Sequence, residues 1–436
     1  MHYMDQRKAL LVLLLTATAL YAWAGPAQNV IFMIGDGMGL AHVTMAHYAN
    51  GAKLNMETMA FSGLATTHCL DSLVTDSAAA GTALATGCKT DSGMIATTPD
   101  LKPRLTILEA LDKRARKTGL VTTTTISHAT PACFAAHVSQ RGNEEEIASQ
   151  LLGSGVDVML GGGLSYFLPV SSGGRRKDGQ DLIEIAKSKG YTVVTDRSGL
   201  LRCRSDKVLG LFGKSYLSFE LDRNPAREPS LALMTQKAVE LLSGTETGFF
   251  LMVEGGRIDH AAHSNDIAGV LHDTLMFDKA VGIALDFARK NKDTLVLVTA
   301  DHETGGLGLS SGKYEIRPDV PSGMSRTCEF IATQINQDLS NVRKVFEFFA
   351  GITDLTDEEV ASLKKSPDKK SEYSSVNLAG ITAIVNKRTM IGWTTGSHSA
   401  CMVPVMAEGP GAELFTGFMD NTELPKKIAR ACGFSL

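Results

Sequence analysis

Cysteine is scarce in this sequence, and its seven residues lie between positions 69 and 432 without a CxxC pair. This argues against a zinc site built from paired thiolates, and the odd number leaves at least one cysteine unpaired within the chain. Long basic runs are also absent, and the formal net charge is only −4. A chain without a basic face is not expected to take nucleic acid as a partner.

The N-terminal apolar run is too short for an ordinary membrane span. It covers residues 9–24, whereas a spanning helix needs roughly 20 residues. Arg7 and Lys8 precede it, and Ala22-Trp23-Ala24 fits the small-x-small pattern of a cleavage site. Residues 1–24 are therefore predicted to be a signal peptide cleaved near Ala24, with an uncleaved anchor as the alternative. The mature protein is expected to be periplasmic or secreted, without stable membrane insertion.

The chain contains 436 residues, and 44% of them are hydrophobic, so it can bury a sizeable core. Apolar runs alternate with helical patterns, which predicts an α/β fold: a three-layer α/β/α sandwich with a large, mostly parallel central sheet. Residues 25–436 are predicted to form one domain, with a small insertion near the C-terminal third at about 311–390. The predicted strands are 29–34, 119–127, 156–160, 191–194, 249–253 and 294–300.

Three stretches between these strands have the apolar spacing of helices, at 105–119, 144–155 and 230–244. The first of them is expected to stop at Gly119. Within the insertion, Thr356 and Glu359 form the pattern of a capping box, which predicts the start of another helix.

Four of the predicted strands run directly into polar side chains. Ligands in an open α/β sheet collect outside the carboxyl ends of parallel strands, so these side chains are expected to meet at one edge. Their mixture of carboxylate and imidazole suits zinc, and an oxygen-rich site suits magnesium. The side chains are Asp36, His128 with Thr130, Glu254, and Asp301 with His302.

A helix that begins near Ile258 would place Asp259 and His263 on the same face, because four residues make about one helical turn. Both side chains can then bind one ion, while His260 points elsewhere on the helix. His398 is a further candidate ligand.

Ser77 is the candidate nucleophile. It lies with Asp76 at the start of an alanine-rich helical stretch, 72–87. Free backbone N–H groups and the positive end of the helix dipole favour a bound phosphate there. A plain N-cap is the alternative. The GxSxG pattern at 308–312 is not a nucleophile elbow, because two prolines and no helical pattern follow it.

Six motifs together resemble the alkaline phosphatase family, and a bacterial secreted member in particular. They occur in the family's order and span about 29–424. The motifs are NVIFMIGDGMG, VTDSAAAGTALATG, HATPACFAAHVSQR, VEGGRIDHAAHSND, VTADHETGG and GPGAELFTGFMDNTE.

The resemblance implies a metal-dependent phosphate monoester hydrolase with two Zn²⁺ and one Mg²⁺ per chain. Ser77 would form a phosphoserine, and Arg141 would clamp the phosphate as a bidentate donor. The implied ligands are Asp259, His263 and His398 for one zinc, Asp301, His302 and the bridging Asp36 for the second, and Asp36, Thr130 and Glu254 for magnesium.

Two departures from the family pattern affect this ligand set. His128 and His260 stand where some members carry Asp and Lys, which implies that they hold magnesium or phosphate through water. Thr304 replaces a histidine that many members carry.

The resemblance further implies small phosphate monoesters and inorganic phosphate as ligands, nucleotides only as possible substrates, and a homodimer. The alternative function is a phosphodiesterase of the same superfamily, which would use the two-zinc core alone. From another class, a secreted metal- or phosphate-binding protein without catalysis is the competing interpretation.

Overall fold

The computed structural model describes residues 25–312, 314–364 and 377–436, so the predicted signal peptide lies outside the described residues. The strands, in chain order, are β1 (Asn29–Ile34), β2 (Phe61–Thr66), β3 (Lys117–Thr125), β4 (Val158–Gly162), β5 (Thr192–Val194), β6 (Val208–Leu211), β7 (Phe249–Glu254), β8 (Thr294–Thr299), β9 (Glu303–Thr304), β10 (Leu307–Leu309), β11 (Ile391–Trp393), β12 (His398–Ser399), β13 (Val403–Glu408) and β14 (Gly417–Asp420).

Helices connect most of these strands. They are α1 (Leu40–Asn50), α2 (Ser77–Thr86), α3 (Ile107–Asp112), α4 (Ala129–Ala135), α5 (Glu144–Ser154), α6 (Leu182–Ser188), α7 (Arg197–Arg202), α8 (Leu231–Leu242), α9 (Arg257–His263), α10 (Ile267–Lys290), α11 (Asp319–Ser322), α12 (Cys328–Gln334), α13 (Val342–Ala350), α14 (Asp357–Ser362), α15 (Leu378–Thr389) and α16 (Glu423–Ala431). Short 3₁₀ turns occur at Met56–Thr58, Leu164–Tyr166, Val170–Ser172 and Ala412–Phe415.

One ten-stranded sheet organises the molecule, in the order β14-β2-β13-β8-β1-β7-β3-β4-β6-β5. Every pairing from β8 to β5 is parallel, whereas β13 is antiparallel to both of its neighbours. The predicted large, mostly parallel sheet is therefore confirmed. Two small antiparallel pairs, β9 with β12 and β10 with β11, lie outside it.

The central strands are buried along their whole length, as β1, β7 and β8 show. Strands covered on both faces are near-continuous apolar runs rather than alternating patterns. Helices α8 and α10 pack together on one face, and α2, α3 and α4 pack together on the other. This gives the three-layer α/β/α sandwich that the sequence predicts.

Most of the predicted strands and helices appear within two residues of their expected bounds. The helix predicted over 105–119 is the exception, because α3 ends at Asp112 and Ala115 takes a left-handed φ of 59°. Gly119 does not end a helix; it lies inside β3, where a Cβ would come within 2.7 Å of Leu242. The expected glycine stop was wrong because this glycine serves close packing in the sheet. Strands β2, β6 and β9 to β14 were not predicted from the sequence.

The segment at about 311–390 contains α11 to α15. Thr356 caps α14 through the predicted capping box with Glu359. Helices α11 and α12 pack on α15, and α11 also reaches α10.

All seven cysteines fall within the described residues and are free thiols. No helix among the described residues combines the length and apolar character needed to cross a bilayer.

Candidate active site

The predicted convergence of strand ends is present in the sheet. Strands β8, β1, β7 and β3 are neighbours and run parallel, so their carboxyl ends form one edge. Gly37 has a φ of +72°, and a Cβ there would lie 2.9 Å from the Cα of Asp259. A glycine next to Asp36 therefore lets the β1 turn approach the helix that carries Asp259.

Three groups of potential metal ligands lie at this edge, and in each the ligand atoms are within 4.8 Å of one another. We call them the open group, which has an exposed member, the middle group and the inner group. The open group is Asp259, His263 and His398; the middle group is Asp36, Asp301 and His302; the inner group is Asp36, His128 and Glu254.

The open group joins one turn of helix α9 to a distant strand. The His263 Nε2 atom lies 3.2 Å from Asp259 Oδ2 and 3.2 Å from His398 Nε2. Backbone carbonyls fix both rings, because His263 Nδ1 bonds Gly396 O at 2.8 Å and His398 Nδ1 bonds Thr75 O at 2.7 Å. These bonds place the Nδ1–H on each carbonyl and leave both Nε2 lone pairs for a shared ligand.

The middle group is fully buried between β1 and β8. Asp301 accepts hydrogen bonds from the backbone N–H groups of Gly37 and His302, at 3.1 and 2.9 Å. His302 Nε2 is 3.2 Å from Asp301 Oδ2 and 3.6 Å from Asp36 Oδ1. The three side chains therefore point at one small volume.

The inner group lies deeper, between β7 and α4. The hydroxyls of Thr122 and Thr124 on β3 donate to Glu254 Oε2, the second at 3.1 Å. Thr130, in the first turn of α4, is buried beside the same carboxylate. Carboxylate and hydroxyl oxygens predominate here, which are the ligands that magnesium prefers.

Several buried polar atoms at this edge have no hydrogen-bond partner. A buried atom of this kind costs about 1–3 kcal/mol if nothing satisfies it. All of them lie in the middle and inner groups or beside them, so bound cations would satisfy them together. The atoms are Asp36 Oδ1 and Oδ2, Asp301 Oδ2, Glu254 Oε1 and Thr130 Oγ1.

The pKa values of the carboxyls record the same crowding of negative charge. Burial, followed by the charge of Asp301, raises the pKa of Asp36 well above its usual range. Burial also raises the pKa of Glu254 to about 7 and that of Asp301 to about 6. A cation placed among these groups would favour their ionised forms.

The open group behaves differently because its histidine is accessible. The hydrogen bond to Asp259 raises the pKa of His263 to about 9. Burial alone would raise the pKa of Asp259, but the hydrogen bond from His263 and the nearby histidine charges lower it.

Ser77 is the first residue of α2 and is only 2% exposed. Its Oγ lies 3.2 Å from His302 Nε2, so the hydroxyl faces the middle group. The N-cap is Asp76, whose Oδ1 accepts from the Ala79 and Gly93 backbone N–H groups at 3.0 and 3.1 Å. The plain N-cap alternative for Ser77 is thus wrong, because Asp76 fills that role.

Arg141 reaches the same place from the loop before α5. One guanidinium nitrogen bonds Asp76 Oδ2 at 3.0 Å, and the other donates to His128 Nε2 at 3.1 Å. The side chain is 31% exposed. Its guanidinium is therefore held between Asp76 and His128 while part of the side chain stays open to solvent.

Three supporting residues were not assigned roles from the sequence. Thr304 Oγ1 donates to Asp259 Oδ1 at 2.5 Å and lies 3.2 Å from His302 Nδ1, so it links the open and middle groups. Thr122 and Thr124 orient Glu254. The four consecutive threonines of β3 were a usable signal, because such hydroxyls inside a buried strand need polar partners. The bond between Asp76 and Arg141 left no trace in the sequence.

Comparison with known proteins agrees with this arrangement. The protein-family model for alkaline phosphatase matches residues 27–434. Alkaline phosphatase 3 of Bacillus subtilis (strain 168) is 39% identical over 426 residues, covering 94% of this chain and 90% of the relative. Streptomycin-6-phosphate phosphatase of Streptomyces griseus is 34% identical over 462 residues, covering 94% and 91%.

Solved structures give the same result. A cold-active alkaline phosphatase from a psychrophilic Shewanella superposes with a TM-score of 0.84 at 34% identity, covering 93% of this chain and 99% of that one. The Thermus thermophilus alkaline phosphatase gives 0.85 at 32% identity, covering 95% and 93%. Because both kinds of match run over nearly the whole described chain, the protein belongs to the alkaline phosphatase family and is a phosphoric monoester hydrolase.

Proposed function

We propose that this enzyme hydrolyses phosphate monoesters through a phosphoserine at Ser77, with two zinc ions and one magnesium ion. The observation that carries the proposal is the position of Ser77 Oγ. It is buried at the N-terminus of α2, 3.2 Å from His302 Nε2, and Arg141 bonds the adjacent Asp76. A nucleophile, a phosphate-binding cation and candidate metal ligands are thus assembled in one place.

The three ligand groups fit the proposed ions. The open group would hold one zinc, and Asp301, His302 and Asp36 would hold the second. Asp36 would also reach magnesium, together with Thr130 and Glu254. The unsatisfied buried oxygens described above support this assignment. A His→Glu variant of the TAB5 alkaline phosphatase, 30% identical with a TM-score of 0.71, holds magnesium in its M3 site.

His128 and His260 are proposed to act through water. The Nε2 atom of His128 accepts from Arg141, and the Nδ1 atom of His260 lies 2.7 Å from Arg257 Nη1. In a neutral ring, a nitrogen that accepts leaves the proton on the other nitrogen. Each ring then offers an N–H, which suits a water molecule or a phosphate oxygen and does not suit direct coordination.

In the proposed reaction, Arg141 holds the phosphate with its two guanidinium nitrogens, and Asp76 keeps the guanidinium in place. Ser77 gives its Oγ proton to water and attacks phosphorus in line, and the departing alcohol oxygen takes a proton from water. Water then attacks the phosphoserine, restores the Ser77 hydroxyl and releases inorganic phosphate. The bound cations would neutralise the charge that develops on the attacking and leaving oxygens.

The test is hydrolysis of a chromogenic phosphate monoester from pH 6 to 10, with intact, chelator-stripped and metal-restored enzyme. We expect activity that rises toward alkaline pH, disappears on stripping and returns in full only with both zinc and magnesium. The Ser77→Ala variant should bind zinc and phosphate but turn over nothing. The proposed mechanism would be refuted if chelation left the activity unchanged, or if Ser77→Ala retained substantial turnover. A higher rate on a diester than on the monoester would favour a phosphodiesterase.

We also propose a homodimer. Leu70, Leu73 and Val74, in the loop that leads from β2 to Ser77, are 58%, 77% and 42% exposed. Met402, 40% exposed, precedes β13, which pairs with β2. Exposed apolar side chains on the loop after β2 and next to β13 would be covered by a second subunit. Light scattering should give twice the chain mass, and Leu73→Asp should lower it; a monomer at all concentrations would contradict the proposal.

Export is proposed from the predicted signal peptide, residues 1–24. We propose further that residues 25–436 form the single catalytic domain, with 311–390 as an insertion. N-terminal sequencing of the protein recovered from periplasm or medium should begin at Gly25. A protein that keeps Met1 and stays with the cytoplasm would contradict this.

A further inference from the structure

A cavity of about 490 Å³ lies beside the active site, and His260 forms part of its wall. Its walls come from the loop after β6, from α9 and from α12. The lining residues that matter here are Tyr216, Ser218, Arg257, His260, Ser264 and Glu329.

The cavity adjoins the end of the active site that holds the phosphate clamp. The Tyr216 ring lies 4.5 Å from the His260 ring and 6.0 Å from the His128 ring. His128 in turn accepts the hydrogen bond from Arg141. A group attached to a phosphate held by Arg141 therefore has a neighbouring space to enter, past Tyr216 and His260.

Arg257 is the main charged group facing this space. Its guanidinium lies 3.6 Å from the centre of the Phe219 ring, and its Nη1 is 2.7 Å from His260 Nδ1. The Nε atom is buried without a hydrogen-bond partner. Among residues 25–312, 314–364 and 377–436, Arg257 makes no ion pair within 4 Å. Donors of this guanidinium thus remain available to a ligand.

The nearby carboxylates are engaged elsewhere. Asp273 Oδ2 accepts from the Glu220 backbone N–H at 3.2 Å, and Asp222 accepts from the backbone and hydroxyl of Thr327 at 3.1 and 2.6 Å. Glu329 is the one acidic residue in the described lining of this cavity. Its negative charge would weaken the binding of an anion there.

We infer that this cavity is a specificity subsite for phosphate monoesters whose leaving group carries a second anionic group, which Arg257 binds. The inference rests on the proposed function. Arg257 selects the anion, and Glu329 limits how strongly it is held. Leaving groups that end in a carboxylate are therefore cleaved in preference to uncharged ones of equal length.

The test uses two matched series of substrates, n-alkyl phosphates and ω-carboxyalkyl phosphates with two to six carbons. The readout is the ratio of kcat/KM for the carboxylate and methyl ends at each length. In the metal-loaded enzyme we expect a ratio of about tenfold at one preferred length, as a charged hydrogen bond supplies.

Variants then assign the ratio to its residues. Arg257→Gln should bring the kcat/KM ratio to about one, and Arg257→Lys should keep part of the preference for the carboxylate end. Glu329→Gln should raise it, because an opposing charge is removed. The matched control is Arg175→Gln, which removes another arginine near the site, at a cavity lined by Gly142 and Tyr166 instead; the ratio should not change.

Each contrary result has a separate meaning. A ratio near one at every length in the wild type, or an unchanged ratio in Arg257→Gln, overturns the subsite. If the preference for carboxylate ends disappears in Arg175→Gln, the anion binds at the other cavity, and the inference is also overturned. If Arg257→Gln does not fold, the rise expected in Glu329→Gln decides the matter. Failure to cleave even the alkyl phosphates would instead refute the proposed function.

Discussion

The open group and the inner group arise from the same sheet edge but differ in their access to solvent. In the open group the side chain of His263 is 38% exposed and Asp259 only 6%. In the inner group Asp36 and Glu254 are 0% exposed and His128 is 8% exposed. The open group can exchange ligands with solvent, whereas the inner group can be reached only through the protein.

This difference separates two tasks that metal ligands perform. An accessible centre with a free position can receive an incoming oxygen and release it. An enclosed, oxygen-rich centre instead fixes charge and orientation. Asp36 belongs to the middle and inner groups, so the two are coupled, while the open group is joined to the middle group through Thr304.

The strongest way to break the comparison is to remove the shared carboxylate. Asp36→Asn should abolish both buried centres, lowering bound metal and reducing kcat/KM by more than about 100-fold, because loss of a merely supporting residue already costs about 10–100-fold. Metal analysis and steady-state kinetics measure both effects. Asp273→Asn, another buried carboxyl, is the control and should keep its metal. Full metal content in Asp36→Asn would refute the shared role.

Proton competition should distinguish the open and inner groups. The pKa of His263 is raised to about 9, so below that pH a proton must leave before a cation binds. Between pH 7 and 9 the affinity for the zinc proposed for the open group should rise about 50-fold. The pKa of Glu254 is raised only to about 7, so its proton should change the magnesium affinity about twofold over that range. Chelator competition at both pH values measures this; equal changes would show that the groups are not distinct.

Thr304 tests the link between the open and middle groups. Thr304→Val keeps the shape but loses the hydroxyl that bonds Asp259 and contacts His302. Zinc affinity should fall about tenfold, at the low end for a supporting residue, because Asp259 keeps its bond to His263. Thr304→Ser should retain nearly full affinity. If valine and serine behave alike, the hydroxyl has no role in orienting the ligands.

Magnesium dependence should be the smallest effect. The inner group has a histidine where some family members carry a carboxylate, so its hold on magnesium should be weak. Purified enzyme is therefore expected to gain activity, by a few fold, when magnesium is added. The control is enzyme dialysed thoroughly against buffer with zinc only. No gain in that sample would mean that the inner group is full or not used.

The central sheet and the ligand groups were predictable because buried parallel strands have a simple signature. Continuous apolar runs such as 249–253 end at polar residues, and the parallel arrangement brings Asp36, Glu254 and Asp301 together. The strands that were not predicted depend on contacts between segments that are distant in sequence. The partly exposed β2 and the antiparallel β13 depend on each other, since the pairing of Val403 with Ala65 leaves no mark in either segment. The role of Thr304 likewise depends on Asp259, which is distant in sequence.

Strand β13 also has a consequence for the biosynthesis of the protein. Within the part of the chain that the structure describes, β2 pairs only with β13 and β14, so residues 61–66 have no partner there until residues 403–420 have been made. Pairing across such sequence distances is slow and leaves strand edges exposed meanwhile. The loop after β2 leads directly to Ser77 and supplies the carbonyl of Thr75 to His398. A chain truncated before β13 should therefore lack an ordered nucleophile, and the appearance of activity should wait for completion of synthesis.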